Sequence, residues 1–308
     1  MNQKQSSEYE RRFTKPDDAV ARVNLLKSLD LSTITDSELS KLINRYFNVI
    51  PFTSGIIRAG TEVFRARISS KNEPFNLVSD IYAPPSHLIK RYGRANKPGE
   101  RIFYCASNLK LAAFEVIQDL KHSINPAREV VFLTIGIWST KQDLHVACIL
   151  DDPKVHKLRQ DIHDSFKENQ SILFNGNIST STAISNNVLL QYFAEEFTKM
   201  EIRGDFDYRV SNYYVSSLRQ ANEFVAPKYN SDKFDGVNYP SVAMKYKGDN
   251  QAIFIESADS KLEFVTALQV ICVNMDFENG DFLPGILHEA ESINNNKITW
   301  KKEIYKPS

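Results

Sequence analysis

The order in which strand-like and helix-like segments follow one another is the feature that most limits how this chain can fold. The strand-like segments are 62–67, 101–106, 129–138, 235–239, 251–255 and 262–273. The main helix-like segments, 153–168, 187–202 and 207–222, lie between the first three strands and the last three. The polar stretch 175–187 between the first two of these helices is predicted to be a loop. Strands and helices that are segregated in this way favour an α+β fold over a doubly wound sheet, in which the two alternate.

The N-terminal part of the chain has a different character. Residues 1–15 are polar, and we expect them to form a disordered or frayed arm. Apolar residues then recur at helical spacing over 16–29 and 36–47. We therefore predict an N-terminal helical extension over 1–58 and a second domain over 59–308.

Composition and charge exclude several classes of protein. The chain has 308 residues, of which 42% are apolar and 25% are charged, as in an ordinary globular protein. Its 38 basic and 38 acidic residues give a formal net charge of zero, so we expect neither nucleic acid nor an anionic membrane as a partner. Three widely spaced cysteines without a CxxC pair favour a reducing cytoplasm. We expect no signal peptide and no membrane span, because no apolar run approaches ~18 residues.

Common catalytic and metal-binding motifs are missing from the sequence. Six histidines are scattered without HExxH or zinc spacing, so we predict no metal site. The sequence also contains no GxSxG, no GxxxxGK[ST] and no GxGxxG. Any chemistry must therefore depend on residues outside these motifs.

The most informative single residue is a carboxylate within an apolar helix. A helix is predicted over 107–121 with Ser107 as its N-cap, and Glu115 follows Leu111 by four positions and Ala112 by three. Glu115 therefore shares a helix side with apolar neighbours, where a carboxylate is costly unless it is paired or hydrogen-bonded. The helix alone leaves three interpretations open: a charge at the rim of a surface helix, a structural ion pair, or a functional acid.

Arginines raise a similar question in the first strand and in a nearby turn. In the sequence EVFRAR, Arg65 and Arg67 lie on one strand face. In a central strand they would need anions, whereas an outer sheet face would leave them solvated. The turn 93–101 carries Arg94 between glycines and is a candidate anion-binding turn, although short turns of this composition are common.

Three segments taken together resemble the RES family, which is named for its Arg, Glu and Ser. They are VFRARI (63–68), IYAPPSHLIKRYGRANKPGERIFYCASNLKLAAFEV (81–116) and FDGVNYPSVAMKYKGDNQAIF (234–254). The shared features are a Gly-Arg-x-Asn-x-x-Gly turn, a Tyr-x-x-Ser step from strand to helix and an Asp-Gly-x-x-Tyr-Pro-Ser block, in that order. The resemblance covers about residues 60–256 and leaves the N-terminal helices and the C-terminal residues unexplained.

Two features depart from the compact members of that family. Ala95 stands where compact members carry Trp, so the chain is similar to a longer subgroup with Gly-Arg-Ala-Asn. Ser241 also follows Glu115 at a greater distance than in compact members. The helical residues 150–222 are therefore predicted to be an insertion that covers the pocket or serves a partner.

The resemblance implies a fold similar to that of ADP-ribosyltransferase toxins, a split and mainly antiparallel β core with flanking helices. It also implies an enzyme without a cofactor that cleaves the nicotinamide–ribose bond of its substrate NAD⁺, as an NAD⁺ phosphorylase or glycohydrolase. Phosphate or water would be the acceptor. Transfer of ADP-ribose to a protein, or a non-catalytic module that binds a ligand or partner, remain alternatives.

Family members often act as bacterial toxins that a helix-turn-helix antitoxin holds in check. The resemblance therefore implies toxic depletion of NAD⁺ in the cytoplasm. Such an antitoxin is an expected partner, and a second copy of the chain is another.

The family's triad corresponds, position by position, to Arg65, Glu115 and Ser241. Arg67 lies on the same strand face as Arg65 and is the alternative arginine. The candidate substrate-binding residues in the adjoining motifs are Tyr104, Arg94, Arg67 and Asn96.

These residue types suit the implied chemistry. Nicotinamide leaves a cationic pyridinium as a neutral molecule and needs no proton, so one carboxylate suffices where ordinary glycosidases use two. We expect Glu115 to bind the nicotinamide ribose and offset the positive charge of an oxocarbenium-like transition state. Arg65 suits bidentate contact with the diphosphate, and Ser241 would donate to a phosphate or orient Arg65. Tyr104 would stack on nicotinamide or ribose, and a second anion at Arg94 would favour phosphate as the acceptor.

Overall fold

The structure is a computed structural model that describes residues 14–71, 73–125, 128–175 and 178–301. These residues combine helices and strands in a mixed arrangement, which confirms the predicted α+β class. Within them, no helix has both the length and the apolar character needed to cross a membrane. The arm predicted for residues 1–15 falls mostly on 1–13, which lie outside the described residues.

The helices and strands have the following bounds. The α-helices are α1 (Pro16–Lys27), α2 (Asp36–Tyr46), α3 (Val78–Ile81), α4 (Leu109–Gln118), α5 (Pro153–His156), α6 (Gln160–Asn175), α7 (Thr180–Phe197), α8 (Arg209–Gln220), α9 (Ala226–Tyr229) and α10 (Ile255–Lys261). Two 3₁₀ turns occupy Ser86–Leu88 and Asp205–Tyr208, and a π-helical turn occupies Ala221–Val225. The strands are β1 (Ser54–Ile57), β2 (Glu62–Ser69), β3 (Ile102–Ala106), β4 (Val131–Thr140), β5 (Leu144–Cys148), β6 (Gly236–Pro240), β7 (Asp249–Phe254), β8 (Leu262–Asp276), β9 (Asp281–Asn294) and β10 (Lys297–Trp300).

The chain divides into two compact units, each assembled from three stretches of sequence. The helical unit comprises Met1–Gly55, Arg91–Pro98 and Ala147–Tyr239. The sheet unit comprises Ile56–Lys90, Gly99–Val146 and Pro240–Ser308.

The helical unit combines the predicted N-terminal extension with the predicted insertion, so this division differs from a boundary at residue 58. Helix α1 packs against α7, and Ser185 Oγ donates a hydrogen bond of 2.6 Å to the Thr14 carbonyl. Helix α2 packs against α8, where Tyr213 Oη donates to Asn44 Oδ1 at 2.6 Å. These helices pack together although they are far apart in the sequence, so the sequence alone did not predict their association.

In the sheet unit, seven strands pair in the order β7-β3-β2-β4-β8-β9-β10. Every neighbouring pair is antiparallel. Strand β2 pairs with β4 over its whole length, from Glu62↔Ser139 to Ser69↔Phe132. Among the described residues, β2 pairs with β3 only at Phe64↔Ala106. The ladder between β2 and β3 is therefore interrupted.

Helix α4 covers one face of this sheet. Phe64 and Ala66 of β2 pack into the core beneath the helix together with Ala106 of β3. Because side chains alternate along a strand, Arg65 and Arg67 emerge on the opposite face. The helix contributes the buried residues Leu111, Ala112, Ala113, Phe114 and Ile117. Four of the first six residues of α4 are therefore fixed by packing, and Glu115 follows directly after them.

Two local predictions are wrong. The polar stretch 175–187, predicted to be a loop, becomes helical at Thr180, because Ser179 caps the helix by accepting from the Thr182 N–H at 3.2 Å. Side chains of this stretch are buried instead of exposed, namely Thr182, Ala183, Ser185 and Asn186. The N-cap of α4 is Asn108, which accepts from the Leu111 N–H at 2.8 Å. The neighbouring Ser107 instead pairs with the start of β7.

Candidate active site

Two polar side chains of the sheet unit meet at the carboxylate of Glu115. Ser241 Oγ donates a hydrogen bond of 2.5 Å to Glu115 Oε1, and Asn250 Nδ2 donates one of 2.6 Å to the same oxygen. Among the described residues, Oε2 receives no hydrogen bond. Ser241 is fully buried and Asn250 is 5% exposed, whereas Glu115 is partly exposed. The arrangement holds the carboxylate by one oxygen and leaves the other available to a ligand.

A tight turn after β6 positions Ser241. Its N–H donates to the Gly248 carbonyl at 2.9 Å and its carbonyl accepts from Tyr246 N–H at 2.6 Å. Its Oγ also accepts from the Met244 N–H at 3.2 Å, so every polar group of the residue is used. Gly248 has a φ of 106°, and a Cβ there would lie 2.9 Å from Leu111 Cδ2. Glycine is thus required both by the backbone conformation and by the close approach to α4.

The strand-to-helix step places the other two groups. Strand β3 ends at Ala106, which pairs with Asn250 at the start of β7. The chain then turns directly into α4, which carries Glu115 back over the sheet. The Asn250 amide is therefore presented to Glu115 by the strand adjacent to the one from which the helix starts.

Arg65 occupies a separate position at the interruption between β2 and β3. Its Nε donates to the Ile81 carbonyl at 3.1 Å and its Nη1 to the Tyr104 carbonyl at 2.8 Å, and the guanidinium carbon lies 5.7 Å from the centre of the Phe103 ring. Among the described residues, Nη2 makes no hydrogen bond. Burial, with the nearby charge of Arg67, lowers the pKa of the Arg65 guanidinium to about 10, so the group stays protonated at neutral pH.

Neighbouring arginines show the same use of backbone carbonyls. Arg67 Nη1 donates to the Asp80 carbonyl, and its guanidinium lies 5.2 Å from the Phe75 ring centre. Arg101 donates to the Ala83 and Pro84 carbonyls at 3.2 and 3.1 Å. Together with Arg65, these residues hold segment 80–84 against the strands. Carbonyl oxygens, rather than the anions expected from the sequence, accept their hydrogen bonds.

Tyr104 connects the two locations. Its carbonyl accepts the bond from Arg65. Since alternate residues share a strand face, its side chain lies on the same face as that of Ala106, the face covered by α4. The Tyr104 side chain therefore lies on the sheet face that also bears Glu115.

Arg94 and Asn96 have structural roles in the helical unit. Arg94 donates to the Phe197 and Lys199 carbonyls at 2.7 and 3.0 Å. The buried Asn96 donates from Nδ2 to the Lys97 carbonyl at 3.0 Å, and its carbonyl accepts from Gly93 N–H at 3.0 Å. These bonds explain the Gly-Arg-x-Asn-x-x-Gly turn as a structural element. We therefore no longer propose Arg94 and Asn96 as substrate-binding residues. The expectation that an anion bound at Arg94 would favour phosphate over water as the acceptor is withdrawn as well.

The structure brings Glu115 and Ser241 together and does not bring Arg65 into contact with either. A serine hydroxyl has one proton to donate, and Ser241 gives it to Glu115. The expected roles of Ser241, binding a phosphate or orienting Arg65, are replaced by positioning the carboxylate. Asn250 was missed by sequence reasoning, although it lies in the third RES-like segment, where a polar residue opens an apolar strand.

Metal and thiol chemistry find no support in the part of the chain that the structure describes. That part contains no group of three or more His, Cys, Asp or Glu side chains able to hold a metal ion. Cys105 and Cys272 are buried, and burial raises the pKa of each thiol, to about 12 for Cys272. These thiols would not ionise near neutral pH, so neither is a candidate nucleophile.

Comparisons with known proteins do not assign the chain to a group. No family model matches it, and no curated protein is similar to it.

Proposed function

We propose that the sheet unit cleaves the nicotinamide–ribose bond of NAD⁺, with water or phosphate as the acceptor. The observation that carries the proposal is the hydrogen bond of 2.5 Å between Ser241 and Glu115, which are 126 positions apart in the chain. The resemblance to the RES family selects the same two residues as a functional pair. The interrupted ladder between β2 and β3 is in keeping with the split β core of ADP-ribosyltransferase-like folds.

The chemistry needs one anionic group near the ribose. When the bond between nicotinamide N1 and ribose C1′ breaks, its electron pair leaves with nicotinamide and neutralises the pyridinium. Positive charge then develops on C1′ and the ring oxygen, and water or phosphate adds to C1′. With water, the proton lost from the attacking oxygen passes to solvent or to the carboxylate. The products are nicotinamide and either ADP-ribose or its 1″-phosphate.

Glu115 is suited to this task because its carboxylate is already held in place. Ser241 and Asn250 restrain Oε1, so orienting the group costs little when substrate binds. Oε2 remains able to accept a hydrogen bond from a ribose hydroxyl and to stabilise the developing positive charge. Preorganised groups of this kind typically contribute about 10²–10³ in rate.

Arg65 is proposed to bind the diphosphate through Nη2. Because Arg65 and Glu115 emerge on opposite faces of the sheet, a dinucleotide held at Glu115 would have to reach Arg65 through the interruption between β2 and β3. Its other two donors are occupied by Ile81 and Tyr104, which fix the plane of the guanidinium. A fixed, permanently charged guanidinium recognises phosphate oxygens with little loss of side-chain entropy. The same contacts give Arg65 a structural role, so substituting it should affect both folding and binding.

Identification of the products tests the proposal. The full-length protein is incubated with NAD⁺, with and without inorganic phosphate, and the products are separated and weighed by mass spectrometry. Release of nicotinamide with ADP-ribose, or with ADP-ribose 1″-phosphate when phosphate is present, supports the proposal and identifies the acceptor. Mass added to the protein in place of a small product would favour protein ADP-ribosylation. Absence of nicotinamide release would favour a binding module.

Depletion of NAD⁺ would be toxic to the cell that makes the protein. We propose on this basis that production of the active chain arrests growth unless a protein partner blocks the site. A helix-turn-helix antitoxin is the partner that the family resemblance suggests.

A further inference from the structure

A cavity lies wholly within the helical unit and shares no residue with the site around Glu115. We call it the helical-unit pocket, and its volume is about 800 Å³. It is bounded by the end of α2 and the residues that follow it, by α8, and by the π-helical turn that leads into α9. Its volume is in the range of about 300–1,000 Å³ that is usual for sites of small ligands.

Aromatic side chains form much of its wall. They are Phe47, Phe52, Tyr213, Phe224, Tyr229 and Phe234. Phe52 and Phe234 have ring centres 5.8 Å apart at an angle of 56°, and Phe47 is buried. A wall of this kind suits a flat ring that can stack between or against aromatic faces.

Carboxamide groups provide the hydrogen-bonding capacity. Asn44 Oδ1 accepts from Tyr213 Oη, which leaves its Nδ2 unused by the described residues. The side-chain amides of Asn48 and Gln220, which also line the pocket, make no hydrogen bond within the described part of the chain. Carboxamides offer a donor and an acceptor side by side, which matches the ring nitrogens and exocyclic groups of nitrogen heterocycles.

The charge of the lining restricts the ligand further. No Lys, Arg or His is among the residues that line the pocket, and Asp232 is its one charged residue. A phosphate or carboxylate entering it would lose hydration without gaining a cation. The lining therefore selects against anions.

The rim is a fixed irregular turn that presents an apolar residue to solvent. Asn222 Nδ2 donates to the Phe234 carbonyl and Phe234 N–H donates to Asn222 Oδ1, both at 2.7 Å. Phe224, in the same turn, is 70% exposed. Single π-helical turns are frequent at functional sites. An exposed aromatic ring held at the mouth of an aromatic pocket is placed to close over a bound ring.

We propose that the helical-unit pocket binds an uncharged, flat nitrogen heterocycle. The ring stacks on the aromatic wall, and Asn48, Gln220 and Asn44 Nδ2 hydrogen-bond to its edge. This site is independent of NAD⁺ cleavage by the sheet unit.

Two matched pairs of probes test the proposal by isothermal titration calorimetry on the full chain. One pair is adenosine and AMP, and the other is nicotinamide and nicotinate, so that each pair differs in an anionic group. At least one neutral probe should bind saturably, and its anionic counterpart should bind at least about tenfold more weakly. Failure of both neutral probes to bind, or equal binding of an anion, would overturn the proposal.

Variants locate the binding. Phe224→Ala and Asn48→Leu change exposed side chains of the pocket, and each should weaken the neutral probe about fivefold or more. Leu158→Ala, at a residue 65% exposed outside the pocket, should leave binding unchanged. Glu115→Gln should also leave it unchanged. Binding that is lost in Glu115→Gln and retained in both pocket variants would place the probe in the sheet unit and contradict the proposal.

Discussion

Glu115 Oε1 accepts the hydroxyl of Ser241 at 2.5 Å and, on the same oxygen, the amide of Asn250 at 2.6 Å. The three residues come from a helix, a turn and a strand of the sheet unit. Two donors on one carboxylate oxygen restrict the rotation of the side chain and leave the second oxygen available. This asymmetry distinguishes Glu115 from a charge at the rim of a surface helix. Glu115 is also not part of an ion pair with these donors, since neither Ser241 nor Asn250 is charged. Of the three interpretations left open by the sequence, the functional acid is the one that our proposal adopts.

Removing either donor should lower the rate of NAD⁺ cleavage more than it changes substrate affinity. Ser241→Ala and Asn250→Leu each leave Oε1 with one hydrogen bond, so we expect kcat to fall about tenfold with a smaller change in KM. Asn250→Asp should be more severe, because a second carboxylate would face Glu115. Steady-state measurement of nicotinamide release checks this. Asn279→Leu, in an exposed turn of the same unit, is the control and should retain full activity.

Gly248→Ala should destabilise the sheet unit, because the added methyl group meets Leu111 and the backbone is in the left-handed region. We expect a loss of about 2–4 kcal/mol in the free energy of unfolding. Gly60→Ala is the matched control, since Gly60 has a φ of 83° but nothing within 4 Å of the added carbon. Urea denaturation of both variants separates the two causes: equal losses would mean that contact with α4 is unimportant.

Arg65→Lys should affect both stability and binding of NAD⁺. A lysine replaces the two separate donors Nε and Nη1 by a single ammonium nitrogen and loses the planar guanidinium geometry, so about 1–3 kcal/mol of stability should be lost. If Nη2 also binds the diphosphate, KM for NAD⁺ should rise while kcat changes less. Arg101→Lys provides the control, as it should reduce stability through its contacts with the Ala83 and Pro84 carbonyls and leave KM unchanged.

The buried Asp151 should make the stability of the helical unit depend on pH. Asp151 is 3% exposed, and its Oδ1 has no hydrogen-bond partner among the described residues. Burial raises the pKa of its carboxyl group to about 7. A raised carboxyl pKa means that the folded state binds the proton more tightly than the unfolded state. Stability should therefore fall as pH rises from about 4 to about 7, and this contribution should stay constant above that.

Thermal unfolding of Asp151→Asn between pH 5 and 8 checks this expectation. The variant should gain stability relative to the wild-type chain as pH rises, by up to a few kcal/mol. Asp205→Asn, at an exposed residue of the same unit, should show no such trend. Parallel pH profiles for wild type and Asp151→Asn would mean that Asp151 is ionised in the folded protein at all these values.

Local patterns were sufficient for much of the fold, and long-range packing decided the rest. The helices α1 and α2 follow from periodicity, because one face of each is buried. Strand β4 follows from its nearly continuous apolar run, which has buried residues on both faces. The start of α7 could not be predicted, since its small polar residues are helical only when packed against α1. Strand β9 was left unassigned because few of its residues are buried and its pattern lacks an apolar face.

The candidate site, like the fold, could be predicted from the sequence only in part. Glu115 and Ser241 could be paired from the sequence only through the family resemblance, because they are far apart in the chain and no local pattern connects them. The role of Arg94 could not be foreseen. It donates to the carbonyl oxygens of Phe197 and Lys199, about a hundred positions away, and because every residue has a carbonyl oxygen, no sequence pattern identifies these two. Asn250 could not be singled out, because the signal that it needs a partner is its exposure of only 5%, which is visible only in the structure.

The most direct test of the account is the rate of nicotinamide release from NAD⁺ by wild type and by Glu115→Gln, with Glu62→Gln as an exposed control in the same unit. The account predicts a fall of about 10²–10³ for Glu115→Gln, because a neutral amide cannot offset the developing charge, and no change for Glu62→Gln. Circular dichroism should show that both variants are folded. Equal rates for wild type and folded Glu115→Gln would contradict the assignment of Glu115 as the catalytic carboxylate.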